Sequence, residues 1–166
     1  MTSISPVVES PTSADIVDMV ALFSANLSAL NLDADPKLLT ATAARLLSTA
    51  GERCYIRIAR PGPSQPAAGV IVAHQWTSVK FSGQAFWLET LFVNNKLRRM
   101  GMGRRLVEEL IQHATEIGCR GIDLEAYQMN APASYLYRSL GFRRLGRERY
   151  SLRLTDLPRM FSNNKL

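Results

Sequence analysis

Cysteine and histidine are scarce: Cys54, Cys119, His74 and His113 are all that 166 residues contain. With no Cys-x-x-Cys and no His/Cys cluster, neither a disulfide framework nor a zinc-type metal site is expected, and two free thiols fit a reducing compartment. Long apolar runs are missing too. Nothing approaches the roughly 20 residues that span a bilayer, and Met1 to Ser10 lacks the basic and apolar segments of a secretory leader. A soluble, cytoplasmic chain without a membrane partner is the expectation. The last residues, Asn163-Asn164-Lys165-Leu166, only loosely resemble a peroxisomal address. Aromatics are few and are not interleaved with the arginines as a single-strand stacking platform needs. No zinc-finger or other DNA-reading spacing occurs, so nucleic acid is a disfavoured partner.

Positive charge is plentiful, and it is unevenly placed. Residues 1–89 hold six Lys/Arg against seven Asp/Glu, whereas residues 90–166 hold fourteen against seven. The whole formal surplus of +6 therefore belongs to the second half, which suits an anionic partner such as a phosphorylated small molecule.

Length and composition predict one domain over residues 1–154 with a C-terminal tail over 155–166. The chain opens with a short strand candidate, Pro6 to Glu9. Ser13 then caps a helix to about residue 29, with Ile16, Val20, Phe23 and Leu27 as its apolar stripe. Pro36 starts a second helix to about Thr49. Strands are predicted over Cys54–Ala59, Ala67–Trp76 and Gln84–Val93. A helix follows over Gly103–Ile117 and a strand over Ile122–Ala126. Ala131–Leu140 reads as a helix, and one or two closing strands are expected within Leu145–Leu154. The order β-α-α-β-β-β-α-β-α-β-β describes a mixed α/β sheet flanked by helices.

Between strand and helix lies Arg98-Arg99-Met100-Gly101-Met102-Gly103-Arg104-Arg105. Helix N-termini carry unpaired N–H groups and partial positive charge, and glycine lets an anion approach them, so the stretch reads as a phosphate cradle. It is not a Walker loop, which needs Gly-Lys-Ser/Thr. It is not a dinucleotide fingerprint either, because the third glycine is missing and seven residues separate Val93 from Gly101. Arg98-x-x-Gly101-x-Gly103 instead resembles the acyl-CoA pyrophosphate motif of the GNAT superfamily of N-acetyltransferases. Asn130-x-x-Ala133-x-x-Leu136-Tyr137-x-x-x-Gly141-Phe142 is similar to that superfamily's second signature, in the right order and at the right distance.

The resemblance implies a GNAT-like fold and acetyl-CoA as co-substrate. It places the pantetheine arm along Leu91, Phe92 and Val93, with Asn130 and Ala133 beside it. The diphosphate falls on Arg98, Arg99, Met100, Gly101, Met102, Gly103 and Arg104. It also implies a homodimer. Leu88-Glu89-x-Leu91-Phe92-Val93 is similar to small-amine and diamine acetyltransferases, although Thr90 stands where many of those have an acid.

Acetyl transfer to a primary amine requires the neutral amine, which at pH 7 costs about 4.6 kcal/mol at about 1.36 kcal/mol per pKa unit. Glu89 is the candidate base. Period-two alternation puts it with Ala85, Trp87, Leu91 and Val93 in an otherwise apolar strand, where burial would raise its pKa. The alternative is a solvated or Arg-paired Glu at a splayed strand end. Tyr137 shares a helical face with Ala133, Leu136 and Leu140, so periodicity alone reads as core. The resemblance points its hydroxyl at the CoA sulfur as the acid. Asn130 reads as an N-cap, His74 and His113 as structural or surface residues, and Cys119 lacks the surroundings of a nucleophile. The acceptor is expected near the first two helices, the loop Asn31–Pro36 and the turn at Ser78, where Asp33, Asp35 and Glu52 could draw a cationic amine. A protein amine as acceptor and a non-catalytic acyl-CoA sensor stay open as alternatives.

Overall fold

The structure is a computed structural model describing residues 6–154, and the expected tail with its terminal tripeptide lies outside the described residues. Five strands form one sheet in the order β1-β2-β3-β4-β5. β1 (Val7–Glu9), β2 (Cys54–Arg60), β3 (Gly69–Ser78) and β4 (Gly83–Val93) are antiparallel neighbours, while β5 (Ile122–Leu124) runs parallel to β4. A parallel neighbour needs a crossover, which α3 (Met102–Glu116) supplies.

The helices begin where local chemistry starts them. Asp15 accepts from the Thr12 backbone at 2.8 Å in a 3-10 turn that leads into α1 (Ile16–Ala29). Asp35 accepts from Lys37 N at 2.8 Å and Pro36 fills the first position of α2 (Pro36–Ser48). α3 buries Met102, Leu106, Val107, Leu110 and Ala114 on one stripe, each larger side chain contributing about 1.5–3 kcal/mol. Its chain then leaves through Gly118 at φ +75°.

The sheet separates two cores. α3 covers one face with Tyr55, Ile71, Ala73, Phe86 and Leu88, and Tyr137 of α4 (Ala131–Ser139) joins them. α1 and α2 cover part of the other face with Ile56, Ile58, Val70, Val72 and Phe92. No helix of the described residues is long and apolar enough to cross a membrane.

The closing strands expected within Leu145–Leu154 are not formed: no strand follows α4 among the described residues. Leu145, Tyr150, Leu152 and Leu154 are all exposed, so these apolar residues bury no face. Strand propensity is realised only against a partner strand and a covered surface, and here neither is present.

Candidate active site

β4 is paired on both sides only over its first half. Its ladder with β5 is three pairs long and stops at Leu88–Leu124, yet β4 continues to Val93. Beyond Leu88, no strand of the described residues lies on that edge, so the sheet opens there.

A β-bulge sets which groups line the opening. The β3 register runs Ala73 to Leu88 and then Val72 to Thr90, leaving Glu89 opposite no residue. Before the bulge, the even-numbered residues turn their backbone groups to the β5 side, as Phe86 N donating to Gly121 O shows. After it the phase is reversed. Asn94 N donates across to Ala68 O on the β3 side, so Leu91 and Val93 turn their backbone groups to the open edge. One of these, Val93 O, accepts from Arg98 Nε at 3.0 Å. The bulge also corrects the expected alternation. Leu91 and Val93 pack on the α3 side with Phe86 and Leu88, while Phe92 points into the α1/α2 core.

The open edge leads to the start of α3. Arg99 at φ +68° and Gly101 at φ +81° bend the loop into the helix, and Gly101 is its N-cap. The first intrahelical bond at that end is Arg105 N to Gly101 O, so the N–H groups of Met102, Gly103 and Arg104 have no carbonyl within the helix. That is the backbone cradle a diphosphate requires. The two glycines play different parts: a Cβ on Gly101 would meet nothing within 4 Å, so its need is the positive φ, whereas one on Gly103 would touch Val93 and Leu136 at 3.7 and 3.8 Å. Met102 is buried in the core and Met100 packs against it, so neither side chain is free for a ligand. Arg104 is tied to Glu108 and Ser139, whereas Arg99 has no ion pair among the described residues.

α4 stands beside this cradle, Leu136 lying against Gly103. Asn130 is its N-cap and accepts from Ala133 N at 3.2 Å. Tyr137 is 8% exposed, its ring edge-on to Phe142 with centroids 5.7 Å apart. Its hydroxyl makes no hydrogen bond among the described residues, and burial pushes its pKa up to about 12.

Glu89 is not where alternation alone would bury it. Its side chain is 56% exposed and lies 2.5 Å from Nε2 of His74, whose own side chain is 40% exposed. The bulge releases it from the ladder and from the apolar environment expected to tune it. β3 places His74 on the side of Val70 and Val72, the side that α1 and α2 cover in part, and leaves it partly exposed. Glu89 and Tyr137 thus lie towards opposite faces of the sheet.

Sequence reasoning left His74 out of this site, because its partner sits fifteen residues on and only the β3–β4 pairing brings them together. Trp87, which faces His74 across the ladder, was also passed over. The Arg149 guanidinium covers its ring at 4.5 Å and pairs with Glu125, so the chain after α4 returns across the β4–β5 junction. His113 stacks on Tyr55 at 5.0 Å in the α3 core, a structural place. Burial pushes up the thiols of Cys54 and Cys119, the reverse of what a nucleophile needs. No group of His, Cys, Asp and Glu among the described residues could hold a metal ion. A shallow cavity of about 470 Å³ between α1 and the end of β4, lined by Asp18, Leu22, Ala67, Phe92 and Lys96, contains neither Glu89 nor Tyr137.

Known proteins resemble this chain in sequence and in fold. The chain is 25% identical over 95 residues to the thialysine N-epsilon-acetyltransferase of Sus scrofa, covering 55% of this chain and 56% of that protein. It is 33% identical over 57 residues to the spermine/spermidine N(1)-acetyltransferase of Bacillus subtilis (strain 168), covering 34% and 38% respectively. The chain thus spans about half, or less, of the length of these curated relatives. An aminoglycoside N-acetyltransferase solved in complex with CoA superposes with a TM-score of 0.75 at 17% identity over 90% of this chain and 95% of that one, a likeness of fold. The model of the acetyltransferase (GNAT) family matches residues 18–142, which carry the open strand, the cradle and α4. The chain belongs to the acetyltransferase (GNAT) family.

Proposed function

We propose that the chain is an acetyl-CoA-dependent N-acetyltransferase that moves the acetyl group to a primary amine by direct attack in a ternary complex. The observation that carries this reading is the continuity of the site. A strand edge with unpaired backbone groups at Leu91 and Val93 runs into the unpaired N–H groups that open α3, a shape suited to an extended arm ending in a diphosphate. The first half of that path would hold pantetheine, and the residues from Arg98 to Arg104 would hold the phosphates. Asn130 and Ala133 are engaged with each other at the start of α4, so their part would be to position Tyr137.

Chemistry falls on the two faces of the opening. Glu89 stands half-exposed on the α1/α2 side of the sheet, where an amine arriving from solvent could lose its proton. Tyr137 presents its hydroxyl on the other face, where the thiol leaves. The named activities of the relatives, on thialysine and on spermine and spermidine, favour a small amine or amino acid as acceptor. Neither cysteine is suited to an acyl-enzyme.

Thiol release from acetyl-CoA, measured against polyamines, amino acids, aminoglycosides and short peptides, tests the reading. Turnover with a small amine is the expected result. Turnover with peptides alone would move the acceptor to protein amines. If acetyl-CoA raises the melting temperature but no amine releases thiol, the chain is a sensor and the transferase reading fails.

A further inference from the structure

We infer that His74 is the group that takes the acceptor amine's proton, with Glu89 orienting it. This assignment rests on the transferase reading above. Its basis is the bulge. Because Glu89 has no ladder partner, its carboxylate leans across to β3 and meets Nε2 of His74 at 2.5 Å. With Nε2–H donating to the carboxylate, the lone pair is on Nδ1. An imidazole is ordinarily a stronger base than a carboxylate, so the ring is the group suited to take the proton while the carboxylate fixes its tautomer. The partial exposure of both side chains leaves the ring accessible to an amine or to one intervening water.

Other titratable groups on the surrounding elements do not compete for this part. Cys54 on β2 is the ladder partner of His74, but it is buried and its thiol is pushed up by burial and by the charge of Glu89. Arg149 is held over Trp87 by Glu125. Asp18 on α1 is engaged with Ala67 and Arg60, and Arg45 on α2 is a cation.

The step balances as follows. Nδ1 of His74 takes one proton from the ammonium, and the freed nitrogen lone pair forms the N–C bond to the acetyl carbonyl carbon. The C–S bond breaks with its electron pair on sulfur. The second proton, shed by nitrogen as the amide forms, ends on that sulfur beside the Tyr137 hydroxyl. The imidazolium returns the first proton to water, so one proton is released per turnover.

The chain has only two histidines, so imidazole titration by NMR is readily assigned with the His74→Gln variant. Thiol release is then measured against pH in the native protein, His74→Gln and Glu89→Gln. The acid limb of kcat/KM should coincide with the His74 imidazole midpoint read by NMR, persist at a lower rate in Glu89→Gln and disappear in His74→Gln, with a loss of about a hundredfold at pH 7. An unchanged acetyl-CoA-induced melting shift shows that the variants are folded. A His74→Gln profile that superposes on the native one, or an acid limb lost in Glu89→Gln and kept in His74→Gln, overturns the assignment and leaves the transferase reading intact. If the native protein acetylates no amine, that reading fails, and the assignment falls with it.

Discussion

Tyr137 holds its proton because its ring is buried, and that limits what it can do. With its pKa pushed up to about 12, the phenol is a weak acid towards a thiolate, for which about 8.5 is ordinary, so complete transfer would be uphill by several kcal/mol. Its contribution is better met by a hydrogen bond to the sulfur as charge develops there. Tyr137→Phe is expected to lower kcat by about tenfold to a hundredfold, with the acetyl-CoA-dependent melting shift kept. The same reasoning predicts no basic limb from this residue below about pH 10. A limb in that range that vanishes in the Phe variant would show that the phenol ionises far more easily than its burial allows.

Among the elements, the end of β2 shows how the sheet edge is secured. Arg60 binds Glu9 of β1 at 2.5 Å, Asp15 before α1, and Asp18 of α1 at 3.7 Å, joining three elements through one guanidinium. Burial pushes the Asp15 carboxyl up, but the Thr12 backbone N–H and Arg60 outweigh it and hold the group below its ordinary value. A carboxyl with a lowered folded pKa stabilises the protein above its unfolded pKa, and that stabilisation is lost as pH falls through the folded one. Asp15→Asn should therefore lower the melting temperature at pH 7 and converge with the native protein as pH falls through the carboxyl's lowered folded pKa. A constant gap across that range would assign the loss to packing instead of charge.

The elements also show which features could be read without coordinates. The starts of α2 at Pro36 and of α4 at Asn130 were legible because their signals are local, whereas the first helix is capped by Thr12 with Asp15 and not by the expected Ser13. The family motifs around Gly101 and Tyr137 were legible for the same reason. The bulge was not, since one unpaired residue depends on the facing strand. Its trace in the sequence is the pair Glu89-Thr90 between two phases of apolar residues, Phe86 and Leu88 before it, Leu91 and Val93 after. The closing strands failed in the opposite way. The alternation through Tyr150, Leu152 and Leu154 was genuine, but strand formation needs a neighbour, and β5 is only three residues long.

For the molecule as a whole, the basic second half does not amount to a general polyanion surface. Much of that charge is already engaged: Arg104 with Glu108, Arg105 with Glu109, Arg149 with Glu125, and Arg98 with the Val93 carbonyl. Arg99, at the mouth of the cradle, has no such partner among the described residues, and its backbone at φ +68° holds it within the loop. A diphosphate bound there would meet the helix N-terminus and one unengaged guanidinium, a short-range field that salt screens moderately. Arg99→Ala should therefore raise the KM for acetyl-CoA several-fold, while Arg105→Ala, which removes an arginine already paired along the helix, should change it little. Raising the salt from about 50 to 200 mM should weaken acetyl-CoA binding modestly, whereas a nucleic-acid surface neutralising six or more phosphates would lose about a thousandfold or more. A steep salt dependence shared equally by both arginines would mean that the second half acts as a diffuse polyanion-binding face and not through the cradle.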